Sequence, residues 1–138
     1  MANLSGKCLC GSIRYSCNAE PVMTAVCHCS HCQKQTGTEY SVIVGVPADS
    51  VSVDGDSLKT YEDTGTSGIS VLRKFCGDCG SPILTDVKAY DGLLFLKAGT
   101  LDDPSVVQPG LEIWCDSKIG WANLGDELAK VPGNPPSD

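Results

Sequence analysis

The sequence predicts a mainly β domain, on three observations. Short apolar or alternating runs recur along the chain, turn-forming residues separate them, and only two brief stretches suit a helix. Its 138 residues make one ordinary domain, large enough to bury roughly 68% of its unfolded surface. Hydrophobic residues make up 41% but aromatics only 6%, so the core is built from Val, Ile and Leu with small residues. Fifteen glycines and eight prolines favour turns and short strands over long helices. No repeat, linker or low-complexity segment divides residues 1–138, which read as a single domain.

Taken in order, the first runs are Ile13–Cys17, where apolar and polar residues alternate, and Val22–Cys27, entered through Glu20-Pro21. Tyr40–Val46 is nearly all apolar. Leu58–Tyr61 follows the Asp54-Gly55-Asp56 turn, and Ile69–Phe75 follows the glycines at 65 and 68. Pro82–Val87 and Leu93–Ala98 flank Asp91-Gly92. Leu111–Cys115 lies beyond Asp102-Asp103-Pro104, a stretch that suits a turn or helix cap better than a carboxylate pair. Helix is confined to Ser30–Thr36 and Leu124–Lys130. Gly133 through Asp138, with paired prolines, reads as a loose tail.

Charge and targeting exclude several classes. The net charge is −7 and the pI near 4.6, and Arg73-Lys74 is the only basic pair. A phosphate backbone is repelled by such a chain, so no nucleic-acid partner is expected. No segment approaches the roughly 20 apolar residues that span a bilayer. The start, Met1 through Lys7, lacks the apolar stretch of a secretory signal. The expectation is a cytoplasmic protein with no membrane partner.

The nine cysteines carry the functional signal. Cys8-Leu9-Cys10, Cys27-His28-Cys29-Ser30-His31-Cys32 and Cys76-Gly77-Asp78-Cys79 hold seven, leaving Cys17 and Cys115 as small buried hydrophobes. A disulfide framework suits a secreted chain with an even count and spread cysteines. Here the count is odd and the spacings are tight, which brings several sulfurs to one point, as a metal requires.

On an extended segment Cys8 and Cys10 leave the same face, and the Cys76-x-x-Cys79 turn brings two more sulfurs together. A glycine follows each pair, Gly11 and Gly80, permitting left-handed backbone. Joining the pairs closes a loop of roughly 65 residues at a cost of about 4 kcal/mol. Structural zinc binding is worth roughly 10–16 kcal/mol and outweighs it. These four thiolates make a closed, architectural site.

Cys27, Cys29 and Cys32 leave no second pair to complete their set. Three protein ligands with an open fourth position is the pattern of a catalytic zinc, and a thiolate-rich ion suits a soft sulfur ligand. Two alternatives keep that site closed: His28 or His31 as fourth ligand, or Cys17 or Cys115 folding back. Two zinc ions per chain are expected in either case.

The same segments resemble a known family. Cys8-Leu9-Cys10-Gly11-Ser12-Ile13-Arg14-Tyr15, the Cys27–Lys34 cluster and Phe75-Cys76-Gly77-Asp78-Cys79-Gly80-Ser81-Pro82 are similar to the glutathione-dependent formaldehyde-activating enzymes. Gly99-Thr100-Leu101-Asp102-Asp103-Pro104 and Ser117-Lys118-Ile119-Gly120-Trp121 extend the likeness in the same order, from about Gly6 to Leu128. The resemblance implies a β-tent fold of small coiled antiparallel sheets around a structural zinc, with the ligand grouping argued above. It also implies a carbon–sulfur lyase chemistry on S-(hydroxymethyl)glutathione, with glutathione as co-substrate. Two departures stand out: Glu112 occupies a position where relatives often carry histidine, and Gln33-Lys34 follows the triple cluster where arginine is common.

Three functions follow. An enzyme holds a thiol adduct of a small aldehyde at Cys27, Cys29 and Cys32, with Lys34, Arg73 and Lys118 as candidate partners for the peptide carboxylates. A binding module captures glutathione, another thiol or zinc without turnover. A structural interaction domain closes both zinc sites. Trp114 and Trp121 suit core packing better than a pocket wall, and Glu112 is the acidic residue of most interest.

Overall fold

The structure, a computed structural model, describes residues 3–66 and 68–135. Two sheets form. Strands β1 (Leu4–Lys7), β2 (Arg14–Cys17) and β5 (Val51–Asp54) make a small antiparallel sheet in the order β1-β2-β5. The larger sheet comprises β3 (Met23–Cys27), β4 (Ser41–Pro47), β6 (Leu58–Thr64), β7 (Ser70–Cys76), β8 (Pro82–Val87), β9 (Leu93–Lys97), β10 (Leu111–Ile113) and β11 (Ala129–Lys130). Its order is β11-β10-β3-β4-β9-β8-β7-β6, antiparallel except where β10 runs parallel to β3 and β11 to β10.

The expected runs form strands, with ends shifted by one to three residues. Strands β1 and β5 were not anticipated, because each is only four residues long and mixes polar with apolar side chains. Helix α1 spans Ser30–Thr36 as the sequence predicts, ending at Gly37 in left-handed conformation. The second expected helix, over Leu124–Lys130, does not form: Gly125 sits at φ 89 and Ala129–Lys130 pairs with β10. Positive φ interrupts a helix, and the edge of β10 supplies hydrogen bonds that a short isolated turn lacks. The tail expectation is also revised. Gly133 O accepts the Trp114 amide at 3.0 Å, and Asn134 Oδ1 accepts the indole N–H at 2.8 Å. The rest of that stretch, from Pro136, lies outside the described residues.

Side-chain alternation divides the interior in two. Val44 and Val46 of β4, with Leu84 and Leu96, face the small sheet and pack with Leu4, Ile13, Tyr15 and Cys17. Ile43 and Phe95 point the other way and pack with Ala25, Cys27, Cys32 and Ile113. A strand sends successive side chains to opposite faces, so one sheet covers both cores. Gly45 keeps the second face open: a Cβ there would sit 3.1 Å from both Met23 and Phe95.

Candidate metal centre and cavity

The first cysteine group joins the two halves of the chain. Cys8 follows β1 and Cys76 ends β7, and the sulfurs of Cys8, Cys10, Cys76 and Cys79 all lie within 4.8 Å of one another. Cys8 and Cys10 are 3.6 Å apart and Cys10 and Cys76 3.9 Å. Four sulfurs at about 2.3 Å from one tetrahedral zinc would be about 3.8 Å apart, so this donor set fits that ion. Each pair is closed by a turn that ends on a left-handed glycine. Gly11 N donates to Cys8 O three residues back and Gly80 N to Cys76 O four residues back, with both glycines at φ 83. Hydroxyls of Ser12 and Ser57, 3.3 and 3.4 Å from Cys76, hold its thiol down at about 5. Ser81 similarly holds Cys79 at about 7. All nine cysteines are unpaired, so no disulfide competes for these sulfurs.

The second group is local. Cys27 ends β3, Cys29 caps the start of α1 by accepting the Cys32 amide at 3.2 Å, and Cys32 lies in the first turn. The three sulfurs lie within 4.8 Å of one another, with Cys27 and Cys32 3.4 Å apart. This set also fits a thiolate-bound metal. Hydrogen bonds from Cys27 and Cys29 hold Cys32 low despite burial, with help from Lys97 and Arg73. Sharing those bonds pushes Cys27 far up.

Each side chain considered as a fourth ligand has another partner, although His28 Nδ1 is buried without one among the described residues. His28 is fully buried, bonds Glu112 Oε1 through Nε2 at 2.7 Å and lies edge-on to Tyr40. His31 Nδ1 bonds Asp63 Oδ2 at 2.7 Å. Cys17 contacts Ser50 Oγ and Cys115 the Glu112 carbonyl. Among the described residues no fourth ligand joins the three sulfurs.

A cavity of about 770 Å³ opens over the group, lined in part by Cys27, Cys29 and Cys32. Arg73 lines it too, as a buried side chain whose Nε donates to Asp63 at 2.9 Å and whose Nη1 approaches Cys32 Sγ at 3.8 Å. Lys34 instead borders a smaller adjoining pocket with His31 and Tyr61. Lys118 is absent from the lining and lies 3.5 Å from Glu112. Trp114 lines the cavity at φ 57, and Trp121 is 71% exposed, so neither is ordinary core. Strain at Trp114 is offset by its two bonds to residues 133 and 134.

Sequence reasoning missed Lys97, Asp63 and Thr85. Lys97 is 5% exposed, donates to Ser41 Oγ at 2.8 Å and lines the cavity. Burial pushes its ammonium below the usual range. A signal existed: in Leu93-Leu94-Phe95-Leu96-Lys97 the lysine is in phase with the cavity-facing Leu93 and Phe95. Asp63 gave no local cue, because its partners His31 and Arg73 come from α1 and β7.

Glu112 sits behind the cluster. Its carboxylate is fully buried, bonded to His28 and approached by Lys130 at 3.1 Å and Lys118 at 3.5 Å. Burial raises the carboxyl, but the His28 bond and the two lysines outweigh that and hold it below the usual range. Through His28, whose amide donates to Ile113 O, Glu112 braces the loop between Cys27 and Cys29.

A β scaffold carrying four plus three gathered cysteines defines the class: a thiolate-rich, metal-capable β domain. The family profile of the glutathione-dependent formaldehyde-activating enzymes matches residues 3–117, and the chain belongs to that family. Relatives from Podospora anserina and Penicillium rubens, both provisionally named glutathione-dependent formaldehyde-activating enzymes, are each 26% identical over 91% of this chain. A Fusarium vanettenii relative with the same provisional name is 33% identical over 57% of it. The chain spans 59%, 67% and 44% of those proteins, respectively. A crystallised Rhodobacter sphaeroides protein shares the fold, with a TM-score of 0.59, 17% identity, and coverage of 76% of this chain and 91% of that one.

Proposed function

We propose that the chain is a zinc-dependent enzyme of thiol–aldehyde adducts, of carbon–sulfur lyase type, with glutathione or another small thiol as co-substrate. One observation carries this reading: three cysteine sulfurs, with no fourth ligand among the described residues, form part of the wall of a cavity of ligand size. In the synthetic direction a carbon–sulfur bond forms between thiol sulfur and aldehyde carbon, and the thiol proton ends on the former carbonyl oxygen. Cleavage reverses both changes. Zinc held by Cys27, Cys29 and Cys32 would supply positive charge and an open coordination position, which lower the pKa of an incoming thiol.

The chain's own residues do the rest. Arg73 and Lys97 bring two buried cations to three thiolates, so the site tolerates one further anionic sulfur. Asp63 fixes the Arg73 guanidinium by accepting from Nε, and Ser41 fixes Lys97. The apolar wall excludes water and strengthens those charge interactions. Cys8, Cys10, Cys76 and Cys79 serve as the architectural zinc set.

Metal analysis of the purified protein is expected to give close to two zinc ions per chain. Glutathione titration, with and without formaldehyde, is then expected to perturb the Cys27/Cys29/Cys32 site. One zinc per chain would remove the two-site arrangement. A thiol that neither binds nor alters the metal site would remove the enzymatic reading and leave a zinc-binding fold.

A further inference from the structure

The three sulfurs explain only part of the cavity. Much of the remaining wall is apolar, with Met23, Ile43, Val71, Val87, Leu93 and Phe95 drawn from five strands. The acidic and basic side chains among the described lining residues are Asp63, Arg73, Lys97 and the imidazole of His31. Asp63 already binds both His31 and Arg73, and Lys97 is held by Ser41. Among the described lining residues Lys97 alone is a cation without a carboxylate partner, so glutathione's paired carboxylates meet no pair of free cations, and the chain's net charge of −7 opposes an anion further. A single-carbon aldehyde leaves most of 770 Å³ unfilled.

Thr85 adds a second, independent observation. It lies in register with Arg73 on one side and Phe95 on the other, lines the cavity and is 5% exposed. Its Oγ1 has no hydrogen-bond partner among the described residues. A hydroxyl buried without a partner is unfavourable unless a ligand completes it.

Resting on the thiol reading above, we propose that this cavity is a subsite for an apolar carbon body attached close to the sulfur. Thr85 is its hydrogen-bonding point and meets the hydroxyl that an aldehyde leaves on its thiol adduct. The substrate class is therefore the thiol adduct of an apolar aldehyde.

Calorimetric titration of the zinc-loaded protein tests this with stable probes. The set is 2-mercaptoethanol, 2-phenylethanethiol, 2-mercapto-1-phenylethanol, 2-phenylethanol and glutathione. The phenyl-bearing thiols are expected to bind at least tenfold more tightly than 2-mercaptoethanol and glutathione, with the negative heat-capacity change of apolar burial. Thr85→Val is expected to weaken 2-mercapto-1-phenylethanol about fivefold, leave 2-phenylethanethiol unchanged and leave the melting temperature equal or higher. Val22→Asp, at the exposed rim of the cavity, is expected to weaken both phenyl thiols and spare 2-mercaptoethanol. If glutathione binds as tightly as the phenyl thiols, the apolar subsite falls and the thiol reading stands. If 2-phenylethanol binds and no thiol does, the thiol reading falls and the apolar cavity stands. Equal losses for the two phenyl thiols in Thr85→Val would overturn the role of the hydroxyl.

Discussion

The two cysteine groups are served by opposite faces of one sheet, and their surroundings differ in kind. Cys8 and Cys76 join the core formed by Val44, Val46 and Leu96, while serine hydroxyls and backbone amides surround the sulfurs. Cys27 and Cys32 join the smaller core with Ile43 and Phe95, beside a cavity and two buried cations. The first group is assembled from sequence positions far apart, with Cys8 and Cys76 buried and Cys10 at the surface. The second is assembled within six residues and leaves one side open. On the proposed function, long-range closure serves architecture and local closure beside a cavity serves chemistry.

The largest test of that contrast removes one sulfur from each group. Structural zinc binding is worth roughly 10–16 kcal/mol, against a typical net domain stability of about 5–15 kcal/mol. Cys76→Ser is therefore expected to lose cooperative thermal unfolding, read by far-ultraviolet circular dichroism. Cys29→Ser is expected to melt cooperatively and retain one zinc of two. A normal melt for Cys76→Ser would mean that the four-sulfur group is not what holds the halves together.

A smaller effect is expected from Glu112→Gln, which keeps an acceptor for His28 but removes the charge facing Lys118 and Lys130. Breaking a buried pair costs roughly 3–5 kcal/mol, and the part-exposed lysines can turn to water, so the loss should fall at or below the lower end. Because His28 lies between two of the three sulfurs, affinity for the second zinc should drop about 10–100-fold. The metal at the four-sulfur group should be unaffected. Competition with a graded chelator, counting ions released, separates the two sites.

Much of the first region was legible in the sequence because its cues are local and chemical. The Cys-x-Cys and Cys-x-x-Cys spacings, each followed by a glycine, encode the turns observed at Gly11 and Gly80. The second region was legible as a ligand set but not as a cavity. Its walls come from strands whose facing depends on register: Thr85 opposite Arg73, Lys97 opposite Ile43. Lys34 sat next to the cysteines in sequence and so drew attention, whereas Lys97, 65 residues after Cys32, is the lysine that reaches the cavity. The expected helix over Leu124–Lys130 failed for the same reason, since its fate depended on the free edge of a parallel strand.

Lys97→Met sharpens the contrast from the cavity side. The ammonium is buried with Ser41 as its hydrogen-bond partner, so removing it relieves desolvation while leaving a hydroxyl unpaired. These effects oppose each other, and the melting temperature is expected to change by only a few degrees. Thiol affinity at the second site should fall about tenfold, because one of two cations facing the sulfurs is gone. Unchanged thiol binding would assign Lys97 to structure alone.

The smallest expected effect lies where the two regions meet. Tyr15, from the small sheet, donates to Thr100 Oγ1 at 2.7 Å, and Thr100 donates in turn to the Lys97 carbonyl at 2.7 Å. The bridge reaches the backbone of the cavity lysine, not its charge. Tyr15→Phe is expected to cost about 1 kcal/mol and to leave both zinc counts unchanged. Burial pushes the Tyr15 phenol up to about 12, against about 10 in an unfolded chain. Folding therefore favours the neutral phenol: its full contribution is present below pH 10 and is lost as pH rises from 10 to 12. Across that window the wild type should lose stability faster than Tyr15→Phe, measured by denaturant titration at each pH. Equal slopes would mean that Tyr15 ionises as readily folded as unfolded, and that the two regions touch through a looser contact than this chain of hydroxyls.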